Sequence, residues 1–283
     1  VFCYLMNNKQ LQTWLIKPSN TLIMGILNVT PDSFSDGGKF DNPKQAASHA
    51  TKMIEDGADI IDIGGESTRP GAEPVSIDEE LARTIPVIEA IRQQSDCVIS
   101  IDTYKSKVAE SALDAGANMV NDISGLTFDE GMASLVAEKE TPVVIMHIKG
   151  TPLDMQKEPH YEDLMEEIKD YFTAKIAKAK EAGIPNTNII LDPGIGFGKR
   201  LEDNFELIRE LKQICAMEYP ILIGPSRKSF IGTVLNLPIT ERLEGTLASI
   251  TAGVMNGARI VRVHDIMAVR RTIAITEKIM GMN

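Results

Sequence analysis

The chain has 283 residues, 43% hydrophobic and 24% charged, a globular composition that excludes a disordered, collagenous or coiled-coil polypeptide. Twenty-nine Lys and Arg against 40 Asp and Glu leave a net charge of −11, which argues against a nucleic-acid coat because phosphate backbones require a cationic face. An anionic small substrate stays open, provided that a few cations converge locally. Cys3, Cys97 and Cys215 are odd in number and far apart. They suit neither a disulfide framework nor a paired-cysteine metal site and read as reduced packing residues. No apolar run approaches the ~20 residues of a membrane span. These features together predict a cytoplasmic protein with no membrane or nucleic-acid partner.

In chain order, residues 9–18 form a short lead-in. Short apolar runs then recur at 22–27, 59–63, 98–101, 118–120, 142–146, 188–191, 220–223 and 259–263. Uninterrupted runs of this length, without alternation, are what strands buried on both faces look like. Helical periodicity fills the intervals. It is clearest over 161–182, where Leu164, Ile168, Phe172 and Ile176 share one stripe. Glycines at 57, 116, 183 and 257 each stand just ahead of a run, as left-handed residues that end a helix and turn the chain back. Eight strand–helix units predict a (β/α)₈ TIM barrel of about residues 20–281 within one domain spanning 1–283, its bottom covered by the lead-in. An open doubly wound sheet is the runner-up.

Ligands of such a barrel meet the C-terminal strand ends. The residues there are Asn28, Gly64-Gly65-Glu66, Asp102, Asn121-Asp122, His147, Asp192, Ser226-Arg227-Lys228, and Arg262 with His264. Asp102, Asn121 and Asp192 offer carboxylate and amide edges suited to a flat heterocycle with N–H donors and ring acceptors. Each alone could equally be a loop or helix cap, Asp102 above all. Arg262, His264 and Asn28 suit a phosphate or diphosphate, and one protein oxygen plus substrate oxygens is a usual way of holding Mg²⁺. Residues 30–38 and 64–71 are long, Gly/Ser/Pro-rich loops carrying Phe34 and Arg69, able to close over a ligand.

The glycines at 194, 196 and 198 tempt towards a phosphate loop, but Pro193 and Arg200 break the Walker pattern and the dinucleotide spacing is missing. Their expected role is close backbone approach to a ligand, with Phe197 as an aromatic face. His49 in a helix and His160 in a loop are expected to be ordinary, and the 13 methionines to be core. Nothing resembles an activated nucleophile.

Asn28-Val-Thr-Pro-Asp-Ser-Phe-Ser-Asp36, Gly64-Gly-Glu-Ser-Thr-Arg-Pro-Gly71, Ile101-Asp-Thr-Tyr-Lys105, Asn121-Asp122, Asp192-Pro-Gly-Ile-Gly196, Ser226-Arg-Lys-Ser-Phe230 and Arg262-Val-His-Asp265 occur in that order. Together they make a chain that resembles the bacterial dihydropteroate synthases over about residues 20–270. The resemblance implies a barrel transferase of folate biosynthesis that joins 6-hydroxymethyl-7,8-dihydropterin diphosphate to p-aminobenzoate with Mg²⁺. It places Asp102, Asn121, Met146, Asp192 and Lys228 around the pterin, and Asn28, Arg262 and His264 around the diphosphate, with Asn28 on the metal. Phe34, Ser35, Thr68, Arg69, Pro70, Phe197 and Ser229 fall around p-aminobenzoate. Arg262, His264, Lys228 and Asp102 are the expected catalytic set. Sulfonamides should compete as p-aminobenzoate mimics, and a homodimer through 243–254 is expected. Pro225 and Lys149 depart from the family's usual spelling, and Pro225 could stiffen the loop carrying Lys228. The alternatives are a pterin-binding methyltransferase domain and a pterin binder without catalysis.

Overall fold

The computed structural model describes residues 6–30 and 43–282; Cys3, Phe34, Ser35 and most of the 30–38 loop lie outside them. Eight strands alternate with helices: β1 (Leu22–Asn28), β2 (Ile60–Gly64), β3 (Val98–Asp102), β4 (Met119–Asp122), β5 (Val143–Met146), β6 (Ile189–Asp192), β7 (Leu222–Ile223) and β8 (Ile260–Val263). All ladders are parallel, in the order β6-β5-β4-β3-β2-β1-β8-β7. A parallel bridge between Leu191 and Ile221, with Leu191 N–H donating to the Pro220 carbonyl at 3.0 Å, closes β6 onto β7. The barrel is therefore the expected (β/α)₈ form and not an open sheet.

Pleating sorts the residues of each strand into two sets. Ile23, Ile61, Ile99, Val120, Ile145, Leu191, Ile223 and Val261 point outward and pack beneath the helices. Leu22, Met24, Ile60, Val98, Met119, Val144, Ile190, Leu222 and Ile260 form a separate interior cluster at the barrel bottom. Apolar residues on both faces produce the continuous hydrophobic runs of the sequence.

The lead-in is helix α1 (Asn8–Ile16), started by a capping box in which Asn7 and Gln10 bond each other's backbone N–H. It presses Leu11, Trp14 and Leu15 into the interior cluster, and Trp14 Nε1 donates to the Asn20 carbonyl at 3.1 Å. The bottom is thus plugged as expected. Gly57, Gly116, Gly183 and Gly257 have φ between +96° and +113°, the left-handed turn that ends each preceding helix. Around the barrel stand α2 (Pro43–Glu55), α3 (Ile77–Arg92), α4 (Ser106–Asp114), α5 (Gly131–Glu138), α6 (Leu164–Glu181), α7 (Leu201–Arg209), α8 (Lys212–Cys215), α9 (Ser229–Leu235), α10 (Leu243–Met255) and α11 (Ile266–Ile279). Cys97 and Cys215 are free. Among the described residues no helix is long and apolar enough to cross a membrane.

Candidate active site

Two residues beyond the apolar bottom, the inward position turns polar, small or sulfur-bearing in every strand but β1, which keeps Ile26. Asp62, Ser100, Asn121, Met146, Asp192, Gly224 and Arg262 stand there, and Asn28, Gly64 and Asp102 lie at the lip. Two of these are glycines. A Cβ on Gly64 would sit 3.4 Å from Asn28 Oδ1 and 3.6 Å from the Asp102 side chain, so its absence keeps a slot open between β1 and β3.

Arg262 occupies the centre. Its Nε donates to Asp62 Oδ2 and its Nη2 to Asp102 Oδ2, both at 2.6 Å, and Asn121 Nδ2 donates to Asp62 Oδ2 at 3.1 Å. Asp62 Oδ1 and Asp102 Oδ1 are buried and accept nothing among the described residues. A buried acceptor without a donor costs free energy, so two of them facing one slot mark where a donor-bearing ligand belongs. Two carboxylates share one guanidinium, and the charge state follows. Burial, with Asp62, Glu80 and Asp122 adding repulsion against the pull of Arg262, pushes Asp102 up to about 7. Burial disfavours the Arg262 charge, but Asp62 and Asp102 overcome it and hold the guanidinium above its ordinary range.

Across the slot, burial raises Asp192 while the Gly194 N–H at 2.7 Å and the Lys228 charge oppose it. Burial pushes Lys228 down to about 7 against the attraction of Asp192. Its Nζ donates to the Ile195 carbonyl and lies 4.1 Å over the Phe197 ring. Ile123, Met146, Ile148 and Met155, with Tyr104 and Phe197 packed against them, give the mouth an apolar wall.

The rim is more open. His264 keeps an exposed face, but its ring turns inward, with Nδ1 2.9 Å from Ser226 Oγ. Packing of the ring, then the charges of Arg262 and Arg227, push it down to about 4. Thr68 is half-buried, whereas Arg69, Pro70 and Ser229 are exposed. Pro225 accepts from the Lys228 N–H at 3.3 Å, and Arg227 beside it takes φ +57° and pairs with Asp265. Lys149 bonds Glu167 and the His160 carbonyl and lies over the Tyr161 ring, tying its loop to α6.

Three side chains show how the slot is assembled. Asp102 is no helix cap: α4 starts at Lys105 as its N-cap, and the Asp102 carboxylate is committed to Arg262. Asp122 instead ties the loop that follows β4, accepting from the N–H groups of Ser124 and Leu126 at 2.8 Å. Arg262, expected beside Asn28 and His264, also sits between two carboxylates of the slot. Residue 262 faces inward one step above Ile260, level with Met24, and its long side chain crosses β1 to reach Asp62 and Asp102.

Residues 24–264 match the family model described as pterin binding enzyme. The chain belongs to the pterin-binding enzyme family, among the dihydropteroate synthases. It is 51% identical over 249 residues to a dihydropteroate synthase of Synechocystis sp., covering 88% of this chain and 86% of that one. It is 48% identical to the Escherichia coli (strain K12) dihydropteroate synthase, covering 88% of each. The Yersinia pestis dihydropteroate synthase, solved with a sulfonamide drug complex, superposes with a TM-score of 0.89 at 45% identity, over 93% of this chain and 95% of that one. The Xanthomonas albilineans enzyme in complex with 7,8-dihydropteroate gives 0.84 at 36% identity, over 93% and 95%. Similarity of this extent and specificity excludes the methyltransferase alternative.

Two parts of this dihydropteroate synthase were missed by sequence reasoning. Asp62 lies inside the second apolar run, where only counting by twos from Ile60 would have put it beneath Asp102. Lys199 is buried, its Nζ 2.8 Å from His147 Nδ1 and bonded to the carbonyls of Gly194 and Phe197 at 3.1 and 2.9 Å. Burial holds its pKa well below the ordinary lysine range, and burial with the Lys199 charge takes His147 down to about 2. The loop wraps that ammonium closely. Gly194 has φ +70°, and a Cβ there would meet the His147 carbonyl oxygen at 1.9 Å. The glycine-rich string thus serves backbone approach, with Lys199 holding the turn from within.

Proposed function

We propose that the slot binds 6-hydroxymethyl-7,8-dihydropterin diphosphate and that the rim binds p-aminobenzoate, giving 7,8-dihydropteroate and diphosphate. The observation that carries this is the pair of orphaned carboxylate oxygens beside Asn121, Asp192 and an apolar wall. A flat ring with N–H donors along one edge would satisfy them. Asp62, Asp102, Asn121, Met146, Asp192 and Lys228 hold the pterin in this scheme, and Asn28, Arg262 and His264 face the diphosphate. Thr68, Arg69, Pro70, Phe197 and Ser229 wall the p-aminobenzoate pocket, to which Phe34 and Ser35 belong outside the described residues.

The reaction breaks the bond between the exocyclic methylene and the diphosphate oxygen, and the electron pair leaves with diphosphate. Arg262 and His264 receive that developing negative charge. The methylene carbon gains cationic character, delocalised into the ring and offset by the Asp102 and Asp192 carboxylates. Closure of the loops excludes water, and the p-aminobenzoate nitrogen then forms the new C–N bond and gives up its proton to the departed diphosphate. Among the described residues no group of three or more His, Cys, Asp and Glu could hold a metal. The donor set on the diphosphate side is the Asn28 amide oxygen, which suits Mg²⁺ held mostly by substrate oxygens and water. When bound, Mg²⁺ supplies charge neutralisation of the leaving diphosphate.

The same proposal includes a cytoplasmic homodimer, competition by sulfonamides for the p-aminobenzoate pocket, and an ordered scheme in which p-aminobenzoate binds well only once diphosphate is in place. Val234, Leu235, Ile239 and Met255 are large, exposed and near or on α10, which supports association there. Light scattering of the purified protein gives the mass that decides it. The central experiment is diphosphate release from dihydropterin diphosphate and Mg²⁺, with and without p-aminobenzoate. Amine-dependent release with dihydropteroate formed is expected; tight pterin binding without release would make the chain a binder only. Equal p-aminobenzoate affinity with and without diphosphate would refute the ordering.

A further inference from the structure

Behind the 66–75 loop lies a charged cluster that touches neither substrate in the scheme above and meets the slot through the repulsion of Glu80 on Asp102. Lys105 Nζ donates to Glu66 Oε2 at 2.5 Å, to Glu80 Oε2 at 2.6 Å and to the Val75 carbonyl at 2.9 Å. Glu66 also accepts from the Tyr104 hydroxyl at 2.8 Å and from the Val75 N–H at 3.1 Å. Glu66 and Glu80 are 8% and 1% exposed, and the Lys105 side chain 12%. Glu66 is the first foot of the loop and Val75 the last, so one ammonium and one carboxylate cinch both feet together. The partners come from three elements: Glu66 follows β2, Lys105 follows β3, and Glu80 stands in α3.

Two physical points assign the cluster a task beyond holding the fold. A buried ion cluster adds little net stability compared with apolar residues of similar size, while it fixes geometry narrowly. A lysine has three donors, and all three of Lys105 are used, leaving none for a substrate. From this we infer that Lys105 is a positioning residue. Through Glu66 and Val75 it sets the height of the Thr68–Arg69–Pro70 crest over the slot, and so governs p-aminobenzoate binding without touching either substrate. The inference rests on the proposal that this crest walls the p-aminobenzoate pocket.

The test compares wild type, Lys105→Met and Lys105→Arg for KM of p-aminobenzoate, kcat, and affinity for dihydropterin diphosphate. Lys105→Met should raise the p-aminobenzoate KM about tenfold or more, since a misplaced wall acts on the substrate it touches. Pterin affinity should stay within about twofold, and Lys105→Arg should recover most of the loss. If Lys105→Met does not fold, Glu66→Gln keeps the shape, removes one charge, and should give a smaller rise in the same KM. Equal losses of both substrates, or a lower melting temperature with unchanged KM, would overturn the inference. Wild type in the same assay separates the two ideas: no dihydropteroate from wild type overturns the proposed function, and normal turnover with unaltered variant KM overturns only the role of Lys105.

Discussion

The slot and the rim of this barrel are built in opposite ways. Slot residues are rungs of the sheet: Asp62, Asp102, Asn121, Asp192 and Arg262 all belong to paired strands, and ladder register fixes their mutual distances. Rim residues hang from loops, and their positions depend on side-chain anchors such as Lys105 under the 66–75 loop and Lys199 under the 194–198 loop. A rigid element needs no such support, whereas a loop that must present a wall borrows rigidity from buried polar anchors.

The largest effect should come from Arg262→Ala, which leaves Asp62 and Asp102 as unpaired buried carboxylates. Breaking such a pair costs about 3–5 kcal/mol of stability; removing the cation that faces the leaving diphosphate should lower turnover by roughly 10²–10³, and pterin affinity should fall with it. Rate and equilibrium titration together check this, and intact pterin binding would separate Arg262 from the slot after all. Asp192→Asn should follow. Losing a charge-assisted hydrogen bond is worth about 1.5–3 kcal/mol, or roughly 10–100-fold in pterin affinity, with p-aminobenzoate affinity on the pterin-loaded enzyme nearly unchanged.

A subtler contrast is between the acid and the base that titrate in the slot. In Lys228→Met, pterin donors favour the ionised form of Asp102, so binding should release a proton and strengthen as pH climbs from about 6 to about 8. In Asp102→Asn, a pterin acceptor favours the Lys228 ammonium, so binding should take up a proton and weaken over the same range. Calorimetry in two buffers of different ionisation enthalpy reads the sign, and the same sign in both variants would reject this assignment. The smallest effect on turnover should come from the opposite end of the barrel. Trp14→Ala leaves a hole among Leu11, Leu15 and the interior cluster and should cost about 3–5 kcal/mol of stability by denaturant titration, with kcat unchanged.

The sheet was legible because burial on both faces writes itself as apolar runs, and the glycine junctions because a left-handed turn admits few other residues. Strand ends were legible for the same reason, since the chain turns polar where the runs stop. Asp62 was not, because a run-based search stops at the last isoleucine and overlooks one carboxylate within. The anchors were hidden differently. Lys105 meets Glu66 across 39 positions and Lys199 meets His147 across 52, and only the docking of helices and loops brings them together. Arg262 was found but its carboxylate partners were not, because its long side chain reaches strands with which β8 does not pair.

Gly64 and Gly224 give the upper barrel a hollow where other strand positions contribute side chains. The substrate then serves as the missing layer of the core, satisfying acceptors that the empty protein leaves bare. Such a molecule is a folding partner as well as a reactant: saturating it at about 100 times its Kd adds about 2.7 kcal/mol to the native state. Ligand supply in the cell would set how much of this chain survives thermal and proteolytic challenge, as well as how fast it turns over.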